Sequence, residues 1–221
     1  MKHILILVEG QTEEQFVSSI LQEYFMQAQC YLQPVILRTK RTGAGQIYKG
    51  GVSTYDRIRR EVVNLLADTS VCAVTTMLDY YGLPDDFPGK AKLMPSWNAI
   101  QKVQHLEDAF SQDIGNPRFL PYLSLHEFES LLFSDIDCLI GYLKSQSAVN
   151  LRSLQRLRNK PPEEIDENTP PSHHIRNAYA SYKKVIDGIM IARQIGLQTM
   201  LDKCQHFENW VNQLQHRCRN C

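Results

Sequence analysis

Two runs of consecutive apolar or β-branched residues, His3 to Val8 and Val71 to Leu78, each break off at an acidic residue, Glu9 and Asp79. A strand that alternates apolar and polar residues leaves one face of its sheet to water. A continuous apolar run needs cover on both faces, which is the pattern of a parallel sheet held between helical layers. Ligands of such sheets bind beyond the carboxyl ends of the strands, so both acids stand where a binding site belongs. The pattern predicts an α/β fold: a mostly parallel, Rossmann-like sheet of about four strands flanked by helices, with Glu9 and Asp79 at the ends of adjacent strands.

The intervening sequence supplies the helices. Thr12-Glu13-Glu14-Gln15 has capping-box spacing, and Phe16, Ile20 and Tyr24 with Val17, Leu21 and Phe25 form one i, i+4 stripe behind it. A second strand is read over Gln33 to Thr39, followed by a basic loop with Gly43, Gly45, Gly50 and Gly51. A helix from Thr54 to Asp68 turns Ile58, Val62, Leu65 and Leu66 inward, and another starts at Ser96 as N-cap and buries Trp97, Ile100, Val103, Leu106 and Phe110. A fourth strand over Phe119 to Leu125 contains Pro121, which places it at a sheet edge.

Beyond His126 the chain reads as helix and loop: Glu127 to Phe133, Ile136 to Lys144, Ala148 to Asn159, Ile175 to Asp187, and pieces from Ile189 onward, interrupted by the Pro-rich stretch Lys160 to Ser172. The expected organisation is an α/β core over residues 1–134 with a helical C-terminal extension over 135–221 packed on it.

Charge excludes little. Lys plus Arg and Asp plus Glu both number 24, so a polyanionic partner has to be met by local patches rather than by a global field. The apolar stretch after Met1 is too short for a signal peptide, and no run approaches the ~20 apolar residues that cross a bilayer, so the expectation is a soluble, cytoplasmic protein with no membrane partner. Cys30, Cys72 and Cys138 read as reduced core thiols. Cys218-Arg219-Asn220-Cys221 has metal-ligand spacing, with Cys204, His206 and His216 near it in sequence, but it stands at a chain end, where ordered zinc frameworks are uncommon.

The chemistry is expected at the strand ends. Gly10 allows a tight turn after Glu9, and Glu13 stands in the first helical turn, where the macrodipole favours an acid in any case. His126-Glu127-Phe128-Glu129-Ser130 brings two more acids to the same sheet edge if the fourth strand is parallel. Their i, i+2 spacing lets both serve one site only if the segment is an irregular junction rather than regular helix. Carboxylates gathered in this way repel one another, and a divalent cation with a preference for oxygen, magnesium or manganese, is the natural neutraliser.

Three segments together, Val8-Glu9-Gly10-Gln11-Thr12-Glu13-Glu14, Leu78-Asp79-Tyr80-Tyr81-Gly82-Leu83-Pro84 and His126-Glu127-Phe128-Glu129-Ser130-Leu131-Leu132-Phe133, resemble a bacterial family of Toprim-like proteins related to the Toprim domain of OLD-type nucleases. Ala180-Ser181-Tyr182-Lys183-Lys184-Val185-Ile186-Asp187-Gly188 extends the resemblance over nearly the whole chain. It implies a nuclease or phosphoesterase acting on nucleic acid, DNA before RNA, in a phage-defence or DNA-processing system with a partner ATPase. Glu9 and Asp79 would be catalytic acids, and Glu9, Glu13, Asp79, Glu127 and Glu129 would hold Mg or Mn. Lys183 or Lys184 would offset charge on the phosphate, and Arg38, Lys40 and Arg41 would contact nucleic-acid backbone. One departure is plain: Tyr81 stands where the Asp-x-Asp motif of Toprim domains has its second aspartate. The rival readings are a noncatalytic, metal-binding regulatory subunit of an ATPase, and a small-molecule phosphohydrolase. The chain has no Gly-x-x-x-x-Gly-Lys-Ser/Thr loop of its own.

Overall fold

The structure, a computed structural model, describes residues 2–37, 54–146, 151–165 and 169–221. Five strands form one sheet: β1 (Lys2–Val8), β2 (Cys30–Ile36), β3 (Ala73–Asp79), β4 (Phe119–Leu120) and β5 (Leu123–Ser124). The order is β2-β1-β3-β4 with β5 also on β3, and every pairing is parallel. This is the α/β architecture expected from the apolar runs, with β1 and β3 as the interior strands.

The second strand lies three residues earlier than Gln33 to Thr39, because Lys2 pairs with Cys30 and Val8 with Ile36. Pro34 is tolerated there because β2 is an edge strand, where a missing N–H need not face a partner. Pro121 splits the expected fourth strand in two. Across the gap the Thr76 hydroxyl donates to the Tyr122 carbonyl and accepts from the Tyr122 N–H, both at 2.9 Å, so a side chain does the work of the missing ladder bonds.

Two cores sandwich the sheet. On one face Leu5, Leu7, Val74 and Leu78 pack against α3 (Tyr55–Leu66) and α4 (Ala99–Ile114). On the other, Ile4, Ile6, Val8, Ala73 and Met77 pack against the first helix and the C-terminal helices. The first helix starts as α1 (Gln11–Phe16), passes through a π-helical turn (Val17–Leu21) and ends as α2 (Gln22–Met26). Its N-cap is Gly10 rather than Thr12, which lies buried inside the first turn. For α4, the capping box is formed by Asn98 and Gln101 instead of Ser96, which leaves Trp97 outside the helix and half-buried.

The C-terminal part comprises a 3₁₀ segment (Phe128–Asp135), α5 (Ile136–Gln146), α6 (Arg152–Gln155), α7 (Pro171–Ala178), a π-helical turn (Lys184–Gly188), α8 (Ile189–Ile195), α9 (Leu197–Lys203) and α10 (Gln205–Arg219). The helix expected over Ile175 to Asp187 is instead α7, a turn, and the π-helical segment. Much of the core on this face comes from the C-terminal helices, including Leu139, Ile191, Phe207, Trp210 and Leu214. Trp210 Nε1 donates to Thr75 Oγ1 at 2.9 Å, which satisfies a hydroxyl buried in the middle of β3. Among the described residues no helix is long and apolar enough to cross a membrane.

The end of α10 is fastened by two disulfides, Cys30–Cys218 and Cys72–Cys221. This corrects the reading of Cys30 and Cys72 as reduced thiols. Parallel strands bring the starts of β2 and β3 to one end of the sheet, beside the last turn of α10; the free cysteines are Cys138 and Cys204.

Candidate functional site

The strand order decides the site. Because β1 and β3 are neighbours with Val8 opposite Met77, their carboxyl ends deliver Glu9 and Asp79 side by side, and the Asp79 N–H donates to Glu9 Oε2 at 3.3 Å. Gly82 makes room for Glu9, since a Cβ there would stand 3.1 Å from Glu9 Oε2, whereas one on Gly10 would meet Glu13 Oε2 at an ordinary 3.5 Å. Glu13, one turn into α1, is 3 % exposed and points back at the strand ends. An acid in that first turn for the macrodipole alone would face water.

The junction after β5 supplies the next acid. His126 adopts a positive φ of 67°, rare for a residue with a side chain, and the chain then enters the 3₁₀ segment. Glu127 is still extended, at φ −149° and ψ 164°, while Glu129 is already in the 3₁₀ segment, and this change of backbone splits the pair. Glu129 turns inward and is fully buried, whereas Glu127 Oε2 accepts the Ser172 N–H at 3.0 Å at the start of α7. Tyr81, at the position of the second Toprim aspartate, has its hydroxyl 2.8 Å from His126 Nδ1, and the two rings lie 5.3 Å apart.

At the centre stands the Lys184 ammonium, 3.3 Å from Glu13 Oε1, 3.5 Å from Asp79 Oδ2 and 3.3 Å from Glu129 Oε2. Of the two lysines read as equivalent, only this one reaches the acids; Lys183 is exposed. The cause is local. Asp187 accepts the Lys183 N–H through Oδ2 at 2.6 Å and the Tyr142 hydroxyl through Oδ1 at 2.8 Å, which fixes the π-helical turn with Lys184 inward. Gly188 closes that turn against Tyr182, whose Oη would lie 2.8 Å from an added Cβ. The sequence reading quoted Asp187 and Gly188 only as part of the segment that extends the resemblance, with no role, and passed over Tyr142; the placement of Asp187 four residues after Lys183 is the one local signal of an acceptor.

One ammonium does not balance these acids. Burial pushes Asp79 well above the usual carboxylate range, and raises Glu9 and Glu129 in the same direction; Lys184 opposes the rise in each. For Lys184, burial acts to lower the pKa, but the charges of Asp79, Glu129 and Glu13 outweigh it and the net shift is upward. Lys184 therefore stays charged, and the surplus falls on the carboxyls, which retain protons that isolated acids would lose. Asp79 Oδ1 and Glu129 Oε1 are buried without a hydrogen-bond partner.

A divalent cation fits the donor set, since buried oxygens with unused lone pairs are what hard cations select. Among the described residues, no three acidic, histidine or cysteine side chains already stand in ligand geometry. The contacts explain this: an ammonium holds the carboxylates at 3.3 to 3.5 Å, whereas Mg or Mn ligands close to about 2.0–2.2 Å. Arg38, Lys40 and Arg41 lie outside the described residues.

A second buried acid pairs with histidine away from the strand ends. Glu107 Oε1 lies 3.0 Å from His206 Nε2, and Glu163 accepts the His206 and Phe207 N–H groups, both at 3.1 Å, capping α10. These groups anchor that helix; the sequence reading named His206 only as a neighbour of the cysteine spacing and passed over Glu107 and Glu163.

No curated protein and no solved structure matches the chain. A family model described as a domain of unknown function, DUF4276, matches residues 8–215, which include Glu9, Glu13, Asp79, Glu127, Glu129 and Lys184. The chain belongs to the DUF4276 family.

Proposed function

We propose that the protein is a Toprim-like, metal-dependent phosphodiester hydrolase acting on nucleic acid, DNA before RNA, in a phage-defence or DNA-processing system beside a partner ATPase. The observation that carries this reading is the convergence of four acids from separate elements, Glu9, Glu13, Asp79 and Glu129, at the carboxyl ends of two adjacent parallel strands. Glu9, Glu13, Asp79 and Glu129 would hold Mg or Mn, with Glu127 at its margin. The ion would supply charge neutralisation of the phosphate and activation of water. Lys184 offers the cationic group that steadies charge on a phosphoryl oxygen, while Lys183 has no part in the chemistry.

A second reading, a catalytically silent metal-binding subunit of an ATPase, is favoured by Tyr81, whose hydroxyl is engaged with His126 where a second aspartate would serve the metal. Cleavage assays separate the two. Purified protein, alone and with a partner ATPase, should cleave DNA or RNA in Mg or Mn and stop in EDTA. Glu9→Gln and Asp79→Asn, which change charge with little change of volume, should each lower turnover by at least about a hundredfold. Cleavage undiminished in both variants overturns the hydrolase reading. Inert wild-type protein that still binds Mn supports the silent subunit, and hydrolysis of nucleotides but not polymers would assign the site to small molecules.

A further inference from the structure

The charge at the centre of the acid cluster belongs to the chain itself. Lys184 makes ion pairs with three carboxylates that come from α1, β3 and the 3₁₀ segment, and only 28 % of its side chain is exposed. It occupies the position equidistant from acids that no other described cation reaches. Yet the fit is incomplete: Asp79 Oδ1 and Glu129 Oε1 stay buried with no hydrogen-bond partner. An ammonium carries one charge and three donors, while a divalent ion carries two charges and draws six or more oxygens to short range. A divalent ion drawn to Asp79 Oδ1 and Glu129 Oε1 would stand within a few ångströms of an ammonium held on the other oxygens of the same two carboxylates, and like charges at that range repel strongly.

Resting on the metal-binding reading above, we propose that Lys184 is a built-in placeholder, which neutralises the acids in the metal-free protein and is displaced toward solvent when a divalent cation binds. The segment that carries it can yield. Ile186 in the same turn is 58 % exposed, and the Lys184 side chain already reaches solvent at 28 % exposure, so the ammonium can swing outward without opening either core. Asp187 holds the main chain of the turn through the Lys183 N–H rather than through the lysine side chain, so the turn persists while the ammonium leaves. Displacement also presents the ammonium at the mouth of the site, where the phosphate of a substrate would arrive. In the metal-free state the competing ammonium reduces the fraction of molecules competent to bind metal, and apparent metal affinity falls by that fraction. The device keeps the protein folded without metal and sets a threshold of metal concentration for loading.

Two measurements on the full chain test this with Mn as the probe. The first is acetylation footprinting of wild-type protein, read by mass spectrometry, with Lys183 as an exposed internal reference one residue away. Saturating Mn should raise acetylation of Lys184 about fivefold or more relative to Lys183, because a freed ammonium loses the charge partners that keep it protonated and shielded. The second is Mn affinity by calorimetry for wild type and Lys184→Gln, where the variant should bind on the order of tenfold tighter. If Lys184→Gln folds only with Mn present, this too supports displacement. Should it fail to fold under any condition, or should the two measurements disagree, the wild-type footprint decides. Mn binding by wild type with Lys184 acetylation unchanged or reduced overturns the placeholder and leaves the metal site standing. Absence of Mn binding in both proteins at millimolar concentration overturns the metal reading itself, whereas binding by Lys184→Gln alone supports occlusion by the lysine.

Discussion

Asp187 sets where Lys184 points, and it does so through two hydrogen bonds that a single truncation removes. Asp187→Ala would strand the Lys183 N–H and the Tyr142 hydroxyl, at an expected cost of about 1–3 kcal/mol in urea unfolding. Gly188→Ala tests the same turn from its packing side: the new methyl group would meet Tyr182 Oη at 2.8 Å and Phe128 at 3.3 Å. A loss of about 1–3 kcal/mol is expected there. If either variant is as stable as wild type, the turn is not held in the way described.

Titration adds a further expectation at this scale. Glu9, Asp79, Glu129, Glu107 and Glu163 are all raised, burial being the largest cause in each. Such carboxyls bind more protons folded than unfolded once pH exceeds their unfolded values, so unfolding free energy falls as pH climbs toward the folded-state values. His206 acts with the same sign. Burial lowers it, but the Glu107 hydrogen bond and charge prevail, and a raised histidine contributes stability at low pH that is lost as pH rises through its folded-state value. In EDTA, the melting temperature should therefore decline between about pH 5 and pH 8. A melting temperature that climbs through this window in EDTA would contradict the assignment of buried, proton-retaining acids.

Among the elements, α10 is the most heavily tethered. Glu163 caps its start, Trp210 reaches Thr75 in β3, the Lys2 ammonium donates to the Arg219 carbonyl, and two disulfides tie its end to the starts of β2 and β3. The cystines span 188 and 149 residues of sequence, and closing such long loops in the unfolded chain stabilises by up to about 5 kcal/mol each. Thiol titration of unreduced, denatured protein should find two thiols, Cys138 and Cys204, among the six cysteines. Dithiothreitol should lower the melting temperature markedly. Six titratable thiols in protein purified without reductant would show that the pairs do not form.

None of these tethers could be read from spacing. Cys218 and Cys221 pair not with each other or with a metal but with residues well over a hundred positions away, and only the parallel order of the strands brings those partners to one edge. The helices show the same division. The apolar stripes of α3 and of the first helix were plain, whereas the cap positions shifted from Thr12 to Gly10 and from Ser96 to Asn98. Several residues near each start could serve as caps, and the chain path decides among them. The break between α7 and the π-helical turn was also missed, because Tyr182 to Gly188 has ordinary helical composition and its departure depends on Asp187 bonding the main chain.

For the molecule as a whole, metal is expected to act as a stabilising ligand. If Mg or Mn binds the folded state alone, a concentration a hundred times the dissociation constant adds about 2.7 kcal/mol to unfolding free energy. The melting temperature should rise with metal and fall back with EDTA, and Asp79→Asn should abolish the response while remaining folded. A response equal in Asp79→Asn and wild type would place the ion elsewhere.

By itself the sequence determined the class of fold and the positions of Glu9 and Asp79, because continuous apolar runs ending in acids have few ways to be buried other than as parallel strands between helices. It also offered Glu13, Glu127, Glu129, Lys183 and Lys184 as companions, but as a set without internal distinctions. Only the tertiary structure separated them. Glu129 and Lys184 are inward, and Glu127 is turned to the Ser172 N–H, because the backbone is still extended at Glu127 and has entered the 3₁₀ segment by Glu129. Lys184 rather than Lys183 meets the acids because a buried aspartate holds the turn in one rotation. Such choices depend on groups far apart in the chain: burial and charge at the strand ends are properties of the assembled sheet and helices, and no local pattern of residues encodes them.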